Sequence, residues 1–275
     1  VNSICTLFTS ANQEFQQLKN LYLSDTSIKP KQMEELLIAL SKNRFLKTLD
    51  VSNNYCLFEE ECVQALGQVF KENKSLVNLN LAYTGLRVFT QEGESNNGSK
   101  AKQIEQQQYE QQDEEMKINN DPFEEAFFGS LKLNTSIETL NLRGNRLKSK
   151  GALKLLRTVH EKIALAQELH KAAAYNYYHT PPKQSLSMGV KPMNINLASN
   201  RITDAIVPDL LDMFSASKKV NSQTILNCLD LSQNLMKQQV FALLREELEP
   251  SVKNLLGDDS TLNMFVEPCD DEPIM

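Results

Sequence analysis

Tryptophan is absent from this chain of 275 residues, and histidine occurs only three times. The first absence removes one of the three usual interface anchors, which leaves tyrosine and arginine to serve. The second leaves little for metal chemistry. His160 and His170 fall ten residues apart on one helical stretch, which is no ligand-pair spacing, and His179 stands alone. No run of about 18 apolar residues occurs, so nothing is expected to span a membrane. The five cysteines, Cys5, Cys56, Cys62, Cys228 and Cys269, are odd in number and contain no C-x-x-C pair. They read as free thiols in a reducing compartment. A P-loop, a G-x-G-x-x-G turn, an H-E-x-x-H helix and a G-x-S-x-G elbow are all missing. The expectation is therefore no enzyme, no cofactor and no small-molecule substrate. The acidic groups Glu34-Glu35 and Glu59-Glu60-Glu61 are expected at or near helix starts, where they favour the macrodipole rather than catalysis.

A basic balance is also lacking. The formal net charge is -6, so a general nucleic-acid binder, which needs a basic stripe to neutralise phosphates, is not expected. The chain starts at Val1 without a signal peptide, which reads as the cut end of something longer. N-x-[ST] triplets at Asn73, Asn97 and Asn134 read as chance matches in a cytosolic chain.

What the chain does have is a recurring pattern, L-x-x-L-x-L-x-x-[N/T]-x-L. It runs Leu18, Leu21, Leu23, Thr26, Ile28, then Leu46, Leu49, Val51, Asn54, Cys56. The third copy is Leu76, Leu79, Leu81, Thr84, Leu86, and the fourth Ile137, Leu140, Leu142, Asn145, Leu147. A fifth keeps Ile195, Leu197, Asn200 and Ile202, and a sixth is Leu226, Leu229, Leu231, Asn234, Met236. The L-x-L centre has period two, so it makes a short strand with both leucines on one face. The Asn or Thr falls where the chain leaves the strand, where its side chain can satisfy turn groups that no ladder reaches. Stacked copies predict a polar ladder.

Steps of 28 and 30 residues between Thr26, Asn54 and Thr84 leave room for a helix after each strand. Met33, Leu36, Leu37 and Leu40 share one helical face, as do Cys62, Val63, Leu66, Val69 and Phe70. Val207, Leu210, Leu211 and Phe214 form a third such face, and Val240, Leu243, Leu244 and Leu248 a fourth. Asn43, Asn73 and Asn134 each precede the next strand's first apolar residue by three. Asn there is expected to end the helix in the left-handed conformation.

The strand motif, the helix length and the Asn-x-Ser/Thr-apolar exits resemble the ribonuclease-inhibitor class of leucine-rich repeats, over roughly residues 15 to 250. Ribonuclease inhibitor, the Ran GTPase activator, NOD-like receptor arrays and ciliary axoneme subunits share that class. The resemblance implies an α/β leucine-rich-repeat solenoid, curved, with parallel strands concave and helices convex. A fold of this kind does not fix a function.

Two steps are too long. Thr84 to Asn145 takes 61 residues, with a Gln- and Glu-rich excess near 90–120 that reads as a loop too polar to fold alone; a decayed repeat is the alternative. Asn145 to Asn200 takes 55. There the helical pattern continues from Ala152 through Leu169 to Ala174 and ends in Tyr175, Tyr177 and Tyr178 before Pro181. A helix about twice its neighbours' length is expected to project, with its tyrosines either meeting a partner or packing back on the next helix. The domain reading is one array over 1–250 with insert loops at about 88–120 and 170–191, then a cap and acidic tail over 251–275.

Residues alternating with the leucines face outward, and most are small and polar. Tyr22 and Arg143 resemble interface anchors. The candidate partner-binding residues are Tyr22, Asp50, Asn80, Arg143, Asn196 and Asp230 on the strands, and Tyr175, Tyr177 and Tyr178 on the long helix. The expected function is a non-catalytic protein-interaction scaffold within a larger assembly. Asn and Gln together make about one residue in six, a composition similar to protist proteins. With the repeat class, this resembles a subunit of the ciliary axoneme, such as the nexin–dynein regulatory complex, at a cytoplasmic, cytoskeletal location. The alternative is a small-GTPase regulator resembling the Ran GTPase activator. A third possibility, an innate-immune sensor array, has no nucleotide-binding or signalling domain beside it.

Overall fold

Each L-x-L triplet is too short to bury its leucines alone, so neighbours must share an interior. The computed structural model describes residues 18–86, 124–177, 192–220, 226–248 and 251–257. Within them the chain is α/β, with one open sheet of seven parallel strands in sequential order. The strands are β1 (Asn20–Tyr22), β2 (Thr48–Asp50), β3 (Asn78–Asn80), β4 (Thr139–Asn141), β5 (Met193–Asn196), β6 (Leu226–Asp230) and β7 (Val252–Leu256). Helices α1 (Pro30–Lys42), α2 (Glu60–Glu72), α3 (Ser130–Leu133), α4 (Lys148–Tyr177), α5 (Val207–Val220) and α6 (Gln238–Leu248) lie in the crossovers. Crossovers between parallel neighbours share one hand, which places the helices in one layer.

Register puts the motif leucines side by side: Leu21, Leu49, Leu79, Leu140, Ile195, Leu229 and Leu255 are successive partners. From Leu49 to Leu229 these residues are fully buried, in one core with the apolar faces of the helices. At the β1 edge the packing is thinner. Leu18 is exposed and Leu21 and Leu23 are half-buried, because no described strand lies beyond them. On α6 the buried face is Phe241, Leu244 and Leu248; Leu243, expected inside, is exposed.

The seventh strand is an addition to the six expected ones. Val252–Leu256 pairs with β6 beyond residue 250, where a cap was expected, with Val252 and Leu255 buried. Among the described residues no strand separates the partners across the long steps: β3 pairs directly with β4 and β4 with β5. The expected insert at 88–120 lies outside the described residues, as does most of that at 170–191. After the first, a π-helical turn (Glu124–Gly129) leads into α3. Phe127 and Phe128 are buried there, with Phe127 edge-on to Phe70 at 5.3 Å between centroids. Gly67 admits this turn: a Cβ at that position would fall 2.1 Å from the Ala126 carbonyl oxygen.

The helix exits are as regular as expected, for a different reason. Asn43, Asn73 and Asn134 have φ of -69°, -76° and -71°, which is extended, not left-handed. Each works through its amide. Asn73 Oδ1 accepts from the Ser75 and Leu76 N–H groups at 2.8 Å, and its Nδ2 donates to the carbonyls of Leu40 and Asn43 in the preceding crossover. Asn43 and Asn134 accept in the same way, and Asn134 Nδ2 donates to the Phe70 carbonyl. One side chain thus closes its own turn and ties down the previous helix end.

The left-handed residues lie instead after the strands. Asp25, Asn53, Tyr83, Gly144, Ser199 and Gln233, each just before a motif Asn or Thr, all have positive φ. The turn brings the following Asn inward, and the predicted ladder is present. Asn145 Oδ1 accepts from Thr84 and Leu86 N–H, Asn200 from Asn145 and Leu147, and Asn234 from Asn200 and Ile202. Thr84 has no amide to offer its predecessor, so its backbone carbonyl takes the Cys56 and Leu57 N–H groups instead.

Candidate interaction face

The sheet face opposite the leucines carries the candidate residues, and register aligns them. Tyr22, Asp50, Asn80, Asn141, Asn196, Asp230 and Leu256 are consecutive partners across seven strands. At about 4.8 Å per strand, the stretch from Tyr22 to Asp230 spans about 24 Å. Five of the six strand candidates therefore belong to one row, and Arg143 stands two residues beyond it. Sequence reading left Asn141 out of the site although its alternation was visible.

The middle of this row is structural as much as available. Asn80 Nδ2 donates to Asp50 Oδ2 at 2.9 Å, and Asp50 Oδ1 accepts both the N–H and the hydroxyl of Ser52. Asn80 and Asn196 also accept from the Ala82 and Ala198 N–H groups two residues on. Asn80, Asn196 and Asp230 are buried, Asp50 and Asn141 half-buried, and only Tyr22 is openly exposed.

Asp230 repeats the local pattern of Asp50, an Asp followed two residues later by Ser, without its completion. Its Oδ1 accepts from the Ser232 N–H at 2.9 Å. The partner across the strand is Leu256 where Asp50 has Asn80, so no amide reaches it. Asp230 Oδ2 and Ser232 Oγ are buried with no hydrogen-bond partner. A buried polar atom left in this way is uncommon.

Arg143 is more tightly placed than its sequence position suggested. Its Nε donates to the Tyr83 hydroxyl at 3.0 Å, and Nη2 donates to Gln233 Oε1, which also accepts from Ser199 Oγ. This cluster links the turns after β3, β4, β5 and β6. Gly144 allows it, because a Cβ there would fall 2.2 Å from the Tyr83 ring, at a φ of 70°. Tyr83 and Gln233 were missed as site residues; their one sequence signal is their place before the motif Thr84 and Asn234.

Helix α4 runs for 30 residues against 13 in α2 and 14 in α5, about 45 Å against about 20 Å. Ala152, Leu155, Leu156, Val159 and Ile163 are buried. Tyr175 and Tyr177 fall in its last turn, and Tyr178 lies outside the described residues.

Reactive chemistry is muted. Cys56, Cys62 and Cys228 are free and buried. Burial pushes the Cys56 thiol up to about 12 and the Cys62 and Cys228 thiols up to about 11, so none is a thiolate nucleophile near neutrality. Among the described residues no group of three or more His, Cys, Asp or Glu is placed to hold a metal ion, and no helix is long and apolar enough to cross a membrane. Lys162 is pushed down to about 8, mainly by burial, with its Nζ 3.3 Å from the Ile137 carbonyl oxygen.

Against known proteins, no family model matches the chain and no curated protein matches it.

Proposed function

We propose that this chain is a leucine-rich-repeat solenoid of the ribonuclease-inhibitor type, and that it works as a non-catalytic protein-interaction scaffold in a larger assembly. Support for the repeat reading comes from the strand motif in register, the crossover helices and the asparagine amides that bridge successive turns. The observation that carries the functional reading is the in-register row on the sheet face opposite the core, continued by the Tyr83–Arg143–Gln233 cluster at its end. Its exposed and half-buried members, Tyr22, Asp50 and Asn141, offer hydrogen-bonding side chains on rigid strands. Rigid elements of this kind hold a binding constellation better than loops do.

The test is affinity purification with crosslinking from the source organism, using the whole chain and a Tyr22→Ala/Arg143→Ala variant. A partner set captured by the chain and lost with the variant, while the thermal melt is unchanged, supports the reading. A partner set identical for both counts against this face. Removing Ala166 to Lys191 examines the long helix and its insert separately, and undiminished capture would show that they contribute no binding. The axonemal and GTPase-regulator versions of the scaffold rest on the resemblance alone. Acceleration of GTP hydrolysis by a small GTPase would favour the second.

A further inference from the structure

Between Arg143 and His160 the sequence holds six cations, Arg143, Arg146, Lys148, Lys150, Lys154 and Arg157, and no acid, in a chain whose net charge is -6. Three of them have structural partners. Lys154 sits over the Phe128 ring at 5.4 Å, and Arg157 pairs with Asp209 at 2.7 Å. Arg143 belongs to the cluster described above. Among the described residues, the side chains of Arg146, Lys148 and Lys150 make no ion pair or hydrogen bond, and neither does that of Arg201 on the adjacent turn.

The backbone brings these four together. Asn145 and Leu147 N–H both donate to Asn200 Oδ1, and Lys148 N–H donates to the Asn200 carbonyl. Ser149 Oγ lies 3.0 Å from Thr203 Oγ1 and accepts from the Thr203 N–H. Residues 145–149 and 200–203 are therefore laced side by side, with Arg146 and Arg201 at equivalent places one strand spacing apart, about 5 Å. Both are exposed. The same place in the other turns holds Ser27, Tyr55, Gly85 and Leu235, so the doubled arginine is a local feature of the β4 and β5 units.

Holding these charges there is unfavourable for the isolated protein. The positive φ of Arg146 and Arg201 belongs to the turn, since Ser27 and Gly85 at the same place share it; what is particular to these two turns is the charge. Like charges repel across the two turns, and no carboxylate among the described residues pairs with them. A cluster of like charges kept without an internal counter-charge is expected where function lies.

We infer that the turns after β4 and β5 dock an acidic peptide segment of a protein partner, whose carboxylates pair with Arg146, Arg201, Lys148 and Lys150. The inference rests on the scaffold reading and names the chemistry of the partner at one end of that face. Guanidinium groups suit carboxylates because they donate two parallel hydrogen bonds in a fixed fork. A peptide is favoured over a nucleic acid by extent. Four cations in one small patch on an acidic chain fall short of the several phosphate contacts that anchor a duplex.

The experiment uses the full chain and three fluorescent probes at low salt. They are a 12-residue peptide rich in Glu and Asp, the same peptide with Gln and Asn in their place, and a 12-nucleotide oligothymidine. The acidic peptide should bind, and the amide peptide should bind at least tenfold more weakly. Arg146→Glu/Arg201→Glu should weaken the acidic peptide at least tenfold, whereas Lys31→Glu/Lys42→Glu, an equal charge change on α1, should cost less than twofold. If the reversal lowers the melting temperature, Lys148→Gln/Lys150→Gln replaces it, with a threefold or greater loss expected. No binding of the acidic peptide, equal losses from the patch and α1 variants, or tighter binding of the oligonucleotide overturns the inference. Unchanged capture of natural partners by Arg146→Glu/Arg201→Glu also overturns it and leaves the scaffold reading standing. Loss of capture by the Tyr22/Arg143 variant tests that reading alone.

Discussion

Asn200 ties four backbone groups with one side chain: it accepts from the Asn145 and Leu147 N–H groups and donates to the carbonyls of Leu142 and Ala198. It is fully buried, so groups released by its loss would find no water. Asn200→Ala should cost about 2–6 kcal/mol, since it orphans the Asn145 and Leu147 N–H groups at about 1–3 each, while the Leu142 and Ala198 carbonyls keep Asn145 Nδ2 and the Gly144 N–H. Asn234→Ala, at a half-buried position, should cost less; urea denaturation of both variants checks the order. The opposite change is available at Asp230. Leu256→Asn places an amide across from its unpartnered Oδ2, as Asn80 does for Asp50, and should add about 1 kcal/mol after the lost apolar contact is counted. The chemistry of the ladder residues was legible in the sequence, because an amide at a strand exit has few other uses. The helix-exit asparagines were assigned the wrong mechanism. Left-handed φ and amide bonding both select Asn, and nothing local separates them.

Element by element, apolar periodicity marked every strand with a motif leucine pair and the buried faces of α1 and α2. It overcounted α6, where Leu243 is exposed, and missed β7, whose Val252-Lys253-Asn254-Leu255-Leu256 carries no strand-exit Asn. Phe127 and Phe128 were passed over beside a long polar stretch, yet they fill the core against Phe70. On α4, Lys162 is a pH-sensitive element of stability. Its folded pKa is lowered from 10.5 to about 8, chiefly by desolvation. The unfolded chain therefore holds this proton more tightly. The penalty is full below about pH 8 and is lost as pH rises from there through 10.5. Lys162→Met should add about 1–2 kcal/mol at pH 7, discounted for the side chain's partial contact with solvent. That advantage should shrink by pH 10. The comparison must be made between variant and parent, because the raised thiols of Cys56, Cys62 and Cys228 act in the opposite sense at high pH.

For the molecule as a whole, the central claim is that leucines from sequence-distant triplets stack in order into one interior, which sets the outward row and the charged turns in register. The pairing of β3 with β4 is its severest case, since Asn78 and Thr139 are partners 61 residues apart. Neighbouring strand positions lie within disulfide reach, whereas positions two strands apart, at about 10 Å, do not. The direct measurement is disulfide formation under mild oxidation in the Asn78→Cys/Thr139→Cys variant, beside Asn78→Cys/Asn194→Cys as the two-strand control. The account predicts near-complete crosslinking of the first pair, with an unchanged circular dichroism spectrum, and none of the second. A first pair that stays reduced, or a second that links equally well, would contradict it.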